Sequence, residues 1–439
     1  MNKISKKLTP TIGLEIHVEL STESKMFCGC VNKHFSVKPN THTCPVCLGL
    51  PGALPVPNKK AIEHTIMIAS AFNCKINERS KFDRKHYFYP DLPKAYQISQ
   101  YDEPLSEKGH LDTKEGRVGI TRVHLEEDTG KLVHKKVDGK EATLVDFNRS
   151  GVPLVEIVTE PDMKSGKQAK DFARKLRRVI RFLGVSDCDM EKGSMRIEAN
   201  ISLGQHLGYK VEVKNLNSFR FVERAIDYEL LKQKKLLAKG ITPKQETRGW
   251  SETKNKTVTQ RYKETEADYR YFPEPDIPPM YFSDNEINKI KDSLPELPNK
   301  IKERLLKIYN LPPHYVDVIL GSKELLAFSE KSFKLAERNK IAVKEVASTI
   351  VNQKLDISKS SPEELIKNLK KLKTSIVTDT KKIESWVKEA IKLMPDAVRD
   401  YKSGKEAAFS AVIGKAMQLS YGKADPATVR KFLIKYLKK

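Results

Sequence analysis

Residues 12–20 read Ile-Gly-Leu-Glu-Ile-His-Val-Glu-Leu and alternate strictly. Leu14, Ile16, Val18 and Leu20 fall on one side, and Glu15, His17 and Glu19 on the other. Period two in an apolar run predicts a half-buried strand, with alternate Cα atoms about 7 Å apart. Two carboxylates and an imidazole in such a row can bind a cation or move protons. A single row of this kind also serves as a plain solvated face. Further acids favour chemistry: Glu126, Glu127 and Asp128, then Glu156 and Glu160. Carboxylates gathered from several strands raise one another's pKa unless a metal or a Lys/Arg lies near. Arg84, Lys85 and Arg149 are the candidate phosphate or carboxylate clamps.

A second donor set is sulfur. Cys28-Gly-Cys30 is followed by Cys44-Pro-Val-Cys47, two close pairs joined by a short loop. That spacing fits a four-thiolate zinc knuckle. Two disulfides are the other reading, disfavoured in a reducing compartment. His34 and His42 lie within the loop as possible substitutes for one thiolate, and the lone Cys74 and Cys188 read as core residues.

These groups must be held by a scaffold. Helices are predicted at 59–73, 167–183 and 222–239, and strands at 120–128, 143–148, 154–158, 195–203 and 210–214. Residues 149–153 form a turn, and Gly184 stops the second helix. Two loops, 81–101 and 268–279, interleave aromatic, charged and proline residues, which suits stacking bases or packing under a sheet. This first part therefore reads as α+β with a largely antiparallel sheet. After Leu294-Pro-Glu-Leu-Pro298 the pattern turns helical: 301–309, 324–339, 343–353, 362–373, 383–393, 406–420 and 426–437. Residues 372–382 read as a linker between two helical units.

The chain has 439 residues and a net charge of +23. From residue 299 onward there are 30 Lys+Arg against 16 Asp+Glu. A basic helical third points to a polyanion, most simply nucleic acid. No apolar run reaches the roughly 18 residues of a membrane span, and the N-terminus has no signal-peptide core, so a cytoplasmic location without membrane contact is expected. No phosphate-binding Gly-rich loop, no Gly-x-Ser-x-Gly elbow and no Gly-Gly-Ser-Ser core is present. A hydrolytic nucleophile would have to come from another chain.

Six stretches together resemble one family. They are residues 12–20, Lys81-Phe-Asp-Arg-Lys-His-Tyr-Phe-Tyr-Pro-Asp91, Pro93-Lys-Ala-Tyr-Gln-Ile-Ser-Gln100, His124-Leu-Glu-Glu-Asp128, Lys214-Asn-Leu-Asn-Ser-Phe219 and Asp268-Tyr-Arg-Tyr-Phe-Pro-Glu-Pro-Asp276. They resemble the GatB family, one of the three kinds of chain in the heterotrimeric aspartyl/glutamyl-tRNA amidotransferase, from about residue 11 to 298. Weaker similarity continues to the end. The resemblance implies a catalytic, ATP-, metal- and acceptor-end-binding cradle domain over 1–297, carrying the zinc knuckle. A helical domain over 298–373 and a shortened helical tRNA-binding tail over 374–439 would follow. It implies ATP-dependent amidation of Glu-tRNA(Gln) or Asp-tRNA(Asn). Ammonia would come from an amidase-type glutaminase partner, and a small third chain would brace the pair. ATP, Mg²⁺ and Zn²⁺ are the implied cofactors. Glu15, His17, Glu127 and Glu156 take the metal positions, although an imidazole is an atypical Mg²⁺ ligand. The usual pattern has Asp where Glu198 stands. In the tail, Lys405, Lys415, Lys423, Arg430, Lys431 and Lys435 are the expected phosphate contacts. Two other readings account for part of the sequence. A zinc-containing RNA-binding scaffold without a catalytic centre explains the charge and the knuckle but not the gathered acids. An aminoacyl-tRNA synthetase would need signature motifs that are absent.

Overall fold

A computed structural model describes residues 8–204, 208–262, 269–353, 355–374, 379–420 and 422–437. The chain divides into two compact units, Met1–Ile301 and Lys302–Lys439.

In the first unit the strands are β1 (Pro10–Glu19), β2 (Lys75–Ile76), β3 (Arg79–Ser80), β4 (Asp83–His86), β5 (Tyr96–Ser99), β6 (Ser106–Thr113), β7 (Gly116–Glu127) and β8 (Lys131–Val137). They continue with β9 (Lys140–Asp146), β10 (Pro153–Thr159), β11 (Met195–Leu203), β12 (Val211–Lys214), β13 (Glu246–Ser251), β14 (Lys256–Tyr262), β15 (Phe272–Pro273) and β16 (Met280–Tyr281). Among the described residues nine of these form one sheet, in the order β14-β13-β12-β11-β1-β10-β7-β6-β2. The alternating strand that opens the sequence is thus the middle of the sheet. All its pairings are antiparallel except β12 with β13.

The helices here are α1 (Lys59–Ala71), α2 (Gly166–Leu183), α3 (Phe219–Ala238) and α4 (Asp284–Asp292). Each begins at a side-chain cap: Asn58, Ser165, Ser218 and Ser283 accept hydrogen bonds from first-turn N–H groups. Gly184 ends α2 at φ 77°, in the left-handed region that favours glycine. One core joins Leu14, Ile16 and Val18 of β1 with Ile66 of α1, Phe172 and Leu176 of α2, and Val222 of α3. The helices therefore cover the even-numbered face of β1. Register places Glu15, His17 and Glu19 on the opposite face, beside Glu156 of β10 and Arg196, Glu198 and Asn200 of β11.

Several elements go beyond the sequence-based expectation. Strands β6, β8, β13 and β14 and helix α4 are additions, and 143–148 is one arm of a separate β8–β9 hairpin rather than part of the main sheet. Exposed strands such as β8 bury no face and so lack an apolar alternation to read.

The second unit is helical: α5 (Pro298–Tyr309), α6 (Pro313–Ile319), α7 (Lys323–Arg338), α8 (Val343–Asn352), α9 (Pro362–Thr374), α10 (Thr380–Leu393), α11 (Pro395–Lys402), α12 (Glu406–Leu419) and α13 (Pro426–Leu437). Short α6 and α11 add to the expected set. Helix α7 packs on α8 and α9, while α10, α12 and α13 close around Val387, Val412, Val429 and Leu433. Residues 375–378 of the expected linker lie outside the described residues. No helix among the described residues is long and apolar enough to cross a membrane.

Gly166 opens α2 where α3 passes close by. A Cβ there would meet the Glu223 carbonyl oxygen at 2.5 Å and Asp227 Oδ1 at 2.7 Å. Gly166→Ala should therefore destabilise by about 1–3 kcal/mol despite alanine's better helix propensity. Urea unfolding reads the change; a stabilised variant would show that the helices do not approach this closely.

Candidate active site and metal centres

The polar face of the sheet carries three charged groups. At its centre lie His17 of β1, Glu156 of β10 and Glu126 at the end of β7, whose ligand atoms are all within 4.8 Å of one another. His17 Nε2 is 3.3 Å from Glu126 Oε1 and 3.8 Å from Glu156 Oε2. Glu156 also pairs with His124 at 3.1 Å. Burial alone would lower the His17 pKa. The hydrogen bond to Glu126 and the charges of Glu156 and Glu126 outweigh it and raise the imidazole to about 9. Burial likewise opposes ionisation of Glu156, but His124, His17 and Lys85 hold it far below the usual carboxylate range. The Lys85 ammonium is desolvated, yet the charges of Glu126 and Glu156 keep it protonated.

Beside this group sit Glu15, Glu198 and Glu212, again with oxygens within 4.8 Å. Asn200 Nδ2 donates to Glu15 at 2.6 Å, and Lys214 Nζ lies 3.0 Å from Glu198 and 3.5 Å from Glu212. Burial and then the charges of Glu156 and Glu198 raise Glu15. On the other side, Arg196 bridges Glu19 and Asp128, and His34 Nε2 is 2.9 Å from Glu19.

Of the four residues expected to share a metal, His17 and Glu156 come together and Glu15 joins the neighbouring group. Glu127 lies outside both. Alternation along β7 turns it away from Glu126, and it accepts hydrogen bonds from Lys94 Nζ at 2.5 Å and the Ile98 N–H at 3.0 Å. It lines a cavity of about 210 Å³ with Cys28, Cys47, Lys94, Tyr96 and Asp276. Glu160 is engaged by the Thr121 hydroxyl at 2.7 Å. The three expected phosphate or carboxylate clamps engage different partners. Arg84 makes a bidentate pair with Glu274, both bonds 2.7 Å, and its guanidinium lies over the Tyr96 ring. Arg149 donates to the carbonyls of Thr129 and Gly130 at 3.0 and 2.8 Å, bracing a turn. Of the three, Arg84 clamps Glu274, Arg149 Nε lies 3.6 Å from Asp128, and Lys85 feels the charges of Glu126 and Glu156. Glu126, His124, Glu198, Glu212, Arg196 and Lys214 were not assigned from the sequence. Their signal was parity: His124 and Glu126 share one face, as do Arg196 and Glu198.

Cys28, Cys30, Cys44 and Cys47 also converge, their sulfurs within 4.8 Å of one another. Four thiolates about 2.3 Å from one ion would lie about 3.8 Å apart, so the donor set fits a tetrahedral metal. His34 is taken by Glu19 and His42 Nδ1 by the Lys33 carbonyl, which leaves four sulfurs as the set. Lys25, fully buried, donates to Cys47 Sγ at 3.6 Å and to the carbonyls of His42 and Phe147 at 2.8 and 3.3 Å. The Ser150 hydroxyl donates to the Cys47 carbonyl at 3.0 Å. The knuckle is thus fastened to the turn that leads into β10. Cys74 and Cys188 are buried in the main core.

The Arg84–Glu274 pair ties β4 to the residue that follows β15, across 190 residues of sequence, and the Glu274 side chain is fully buried. Arg84→Met should cost about 3 kcal/mol by leaving a buried carboxylate uncompensated, and Arg84→Met with Glu274→Met should recover much of it. A thermal-melt double-mutant cycle tests this. A free phosphate clamp at Arg84 would show no such coupling.

With this geometry in place, comparison with known proteins is informative. Residues 10–288 match the model of the GatB/GatE catalytic domain, and residues 329–437 match the GatB domain. The aspartyl/glutamyl-tRNA(Asn/Gln) amidotransferase B subunits of Thermotoga petrophila and Thermotoga maritima are each 45% identical over 475 residues, covering 98% of this chain and 98% of theirs. The corresponding Caldicellulosiruptor saccharolyticus protein is 42% identical over 479 residues, with the same coverage. Similarity of that extent along both chains, with the catalytic-domain match spanning the whole charged face, shows that this chain belongs to the GatB family.

Proposed function

We propose that the chain is the GatB-type subunit of a glutamine-dependent amidotransferase that converts Glu-tRNA(Gln), Asp-tRNA(Asn) or both to the amides. The observation that carries this reading is the His17, Glu126 and Glu156 group on the sheet face opposite the helices, with the Lys85 charge acting on it, in a chain whose relatives bear that name along their full length. A side-chain carboxylate is a poor acyl donor. Its oxygen attacks the terminal phosphorus of ATP, ADP departs, and the resulting acyl phosphate is open to ammonia. The ammonia nitrogen forms the amide bond as phosphate leaves. Ammonia would come from an amidase-type glutaminase partner, with a small third chain in the assembly.

Glu126 and Glu156 would hold Mg²⁺, with His17 directly or through water; the imidazole also accommodates Mn²⁺. The ion supplies charge neutralisation on phosphate oxygens. The protein's own part is to hold two ionised carboxylates in fixed register and to present Lys85 to the transferred phosphate. Zn²⁺ is the metal the four-sulfur set would take, in a structural role because the shell is closed. For the domains we infer a cradle over 1–297, a helical domain over 298–373 and a tail over 374–439 that meets the tRNA body through its lysines. A scaffold without a catalytic centre is disfavoured by carboxylates converging from separate strands. The cytoplasm is the fitting compartment for charged tRNA.

Glu126→Gln should leave assembly and glutamine hydrolysis intact and abolish amidation even with free ammonia, measured on the assembled complex. Near wild-type amidation with ammonia would remove Glu126 from the site. Cys44→Ser should lose the bound metal, read as zinc per chain by elemental analysis. Less than about half an equivalent in the unmodified protein would count against the knuckle, since structural sites retain their metal.

A further inference from the structure

The mechanism leaves one feature of the site unused. Tyr101, just past β5, and Tyr271, just before β15, lie with ring centroids 4.2 Å apart and planes 7° from parallel. Tyr271 covers one face of Tyr101, yet Tyr101 is 50% exposed, so a large part of the residue stays open to solvent beside the stack. Tyr269 meets Tyr271 edge-on, and the Lys85 ammonium lies 5.0 Å from the Tyr269 ring centroid. The Tyr271 phenol feels the charges of Lys85, Glu126, Glu156 and Arg122, in keeping with a stack that lies near the carboxylate group. Arg122 Nη1 donates to the Tyr101 carbonyl at 3.3 Å, so a cation also lies at the Tyr101 backbone.

We propose that the Tyr101–Tyr271 stack is a nucleobase platform that takes the unpaired 3′-terminal base of the RNA substrate. This rests on the amidation reading above. A base laid on the outer face of Tyr101 gains sequence-tolerant aromatic stacking. Lys85 and Arg122 supply positive charge for the adjoining phosphates. The terminal ribose carries the aminoacyl ester, so a base held at the rim directs the side-chain carboxylate inward, towards Glu126 and Glu156. The adenine of ATP offers the same chemistry, and the test separates the two.

The experiment uses the complex assembled with the glutaminase and the small third chain. The probes are uncharged tRNA(Gln) with an intact 3′ end and the same RNA lacking its terminal nucleotide. For the wild type, truncation should weaken binding about fivefold or more, the lower end of base-on-aromatic stacking. Tyr101→Ala should bind intact RNA as weakly as the wild type binds truncated RNA, with no further loss on truncation. Tyr101→Phe, which keeps the ring, should retain the truncation response. ATP affinity should not change. A full truncation response in Tyr101→Ala, or none in the wild type, overturns the proposal. So does a selective loss of ATP affinity, which would give the platform to the nucleotide. Thermal melting of each variant checks folding. Amidation of charged tRNA by the wild-type complex is scored separately, so failure of the platform and failure of the amidation reading appear in different measurements.

Discussion

Carboxylates withdrawn from bulk water repel one another unless a cation stands between them, and the first unit is arranged around that constraint. Each acidic cluster on the sheet has a cation next to it. His17 and Lys85 serve Glu126 and Glu156, Lys214 serves Glu198 and Glu212, and Arg196 serves Glu19 and Asp128. Strand pairing makes the clustering possible. Antiparallel register places His17 directly across from Glu156 and Glu15 across from Glu198. The odd positions of β1 could not be this polar if the even positions did not bury Leu14, Ile16 and Val18 under the helices. One alternating strand thus fixes both the core and the chemistry.

The cations are not equivalent. Lys214 and Arg196 keep their charge across the physiological range and make fixed pairs. His17 is the exception, because an imidazole loses its proton when a metal takes the place between the same two carboxylates. The proton and the ion compensate the same charges. The central group is therefore the one where a proton of the protein's own can give way to a metal ion, with Lys85 keeping its charge beside it. In the knuckle, Lys25 does for thiolates what the sheet's cations do for carboxylates: the Cys28 hydrogen bond, the Cys44 N–H and the Lys25 charge outweigh burial and hold Cys47 down to about 4.

Much of this was legible in the sequence where burial imposes a period. β11 and α13 lie within the bounds that alternation and helical spacing predict, and α2 differs by one residue. The hairpin β8–β9 was poorly legible because neither strand buries a face. The position of Glu127 was legible in principle and missed. In Glu126-Glu127-Asp128 only parity tells which carboxylate faces the sheet's polar side, and His124, two residues before Glu126, carries that parity. The pairing of Arg84 with Glu274 had no sequence signal. It spans 190 residues, and an arginine beside aromatics reads equally well as a phosphate clamp.

That long-range pair also explains how a rigid floor acquires a wall. The carboxylates stand on strands hydrogen-bonded on both sides, which gives them little freedom. The aromatic segments, expected from the sequence as loops, are loop interrupted by the short strands β4, β5 and β15, and loop alone would not hold rings in register. The small sheet β15-β4-β5 supplies the missing rigidity. Arg84 seals its centre by pairing with buried Glu274 while lying on Tyr96, and the His86 N–H donates to the Tyr269 carbonyl at 2.9 Å. Lys85 falls between these two anchored residues. Strand alternation then turns it away from Arg84's partners, and the charges of Glu126 and Glu156 act on it. The ion pair that looks purely structural thus anchors the strand that carries the lysine on which Glu126 and Glu156 act.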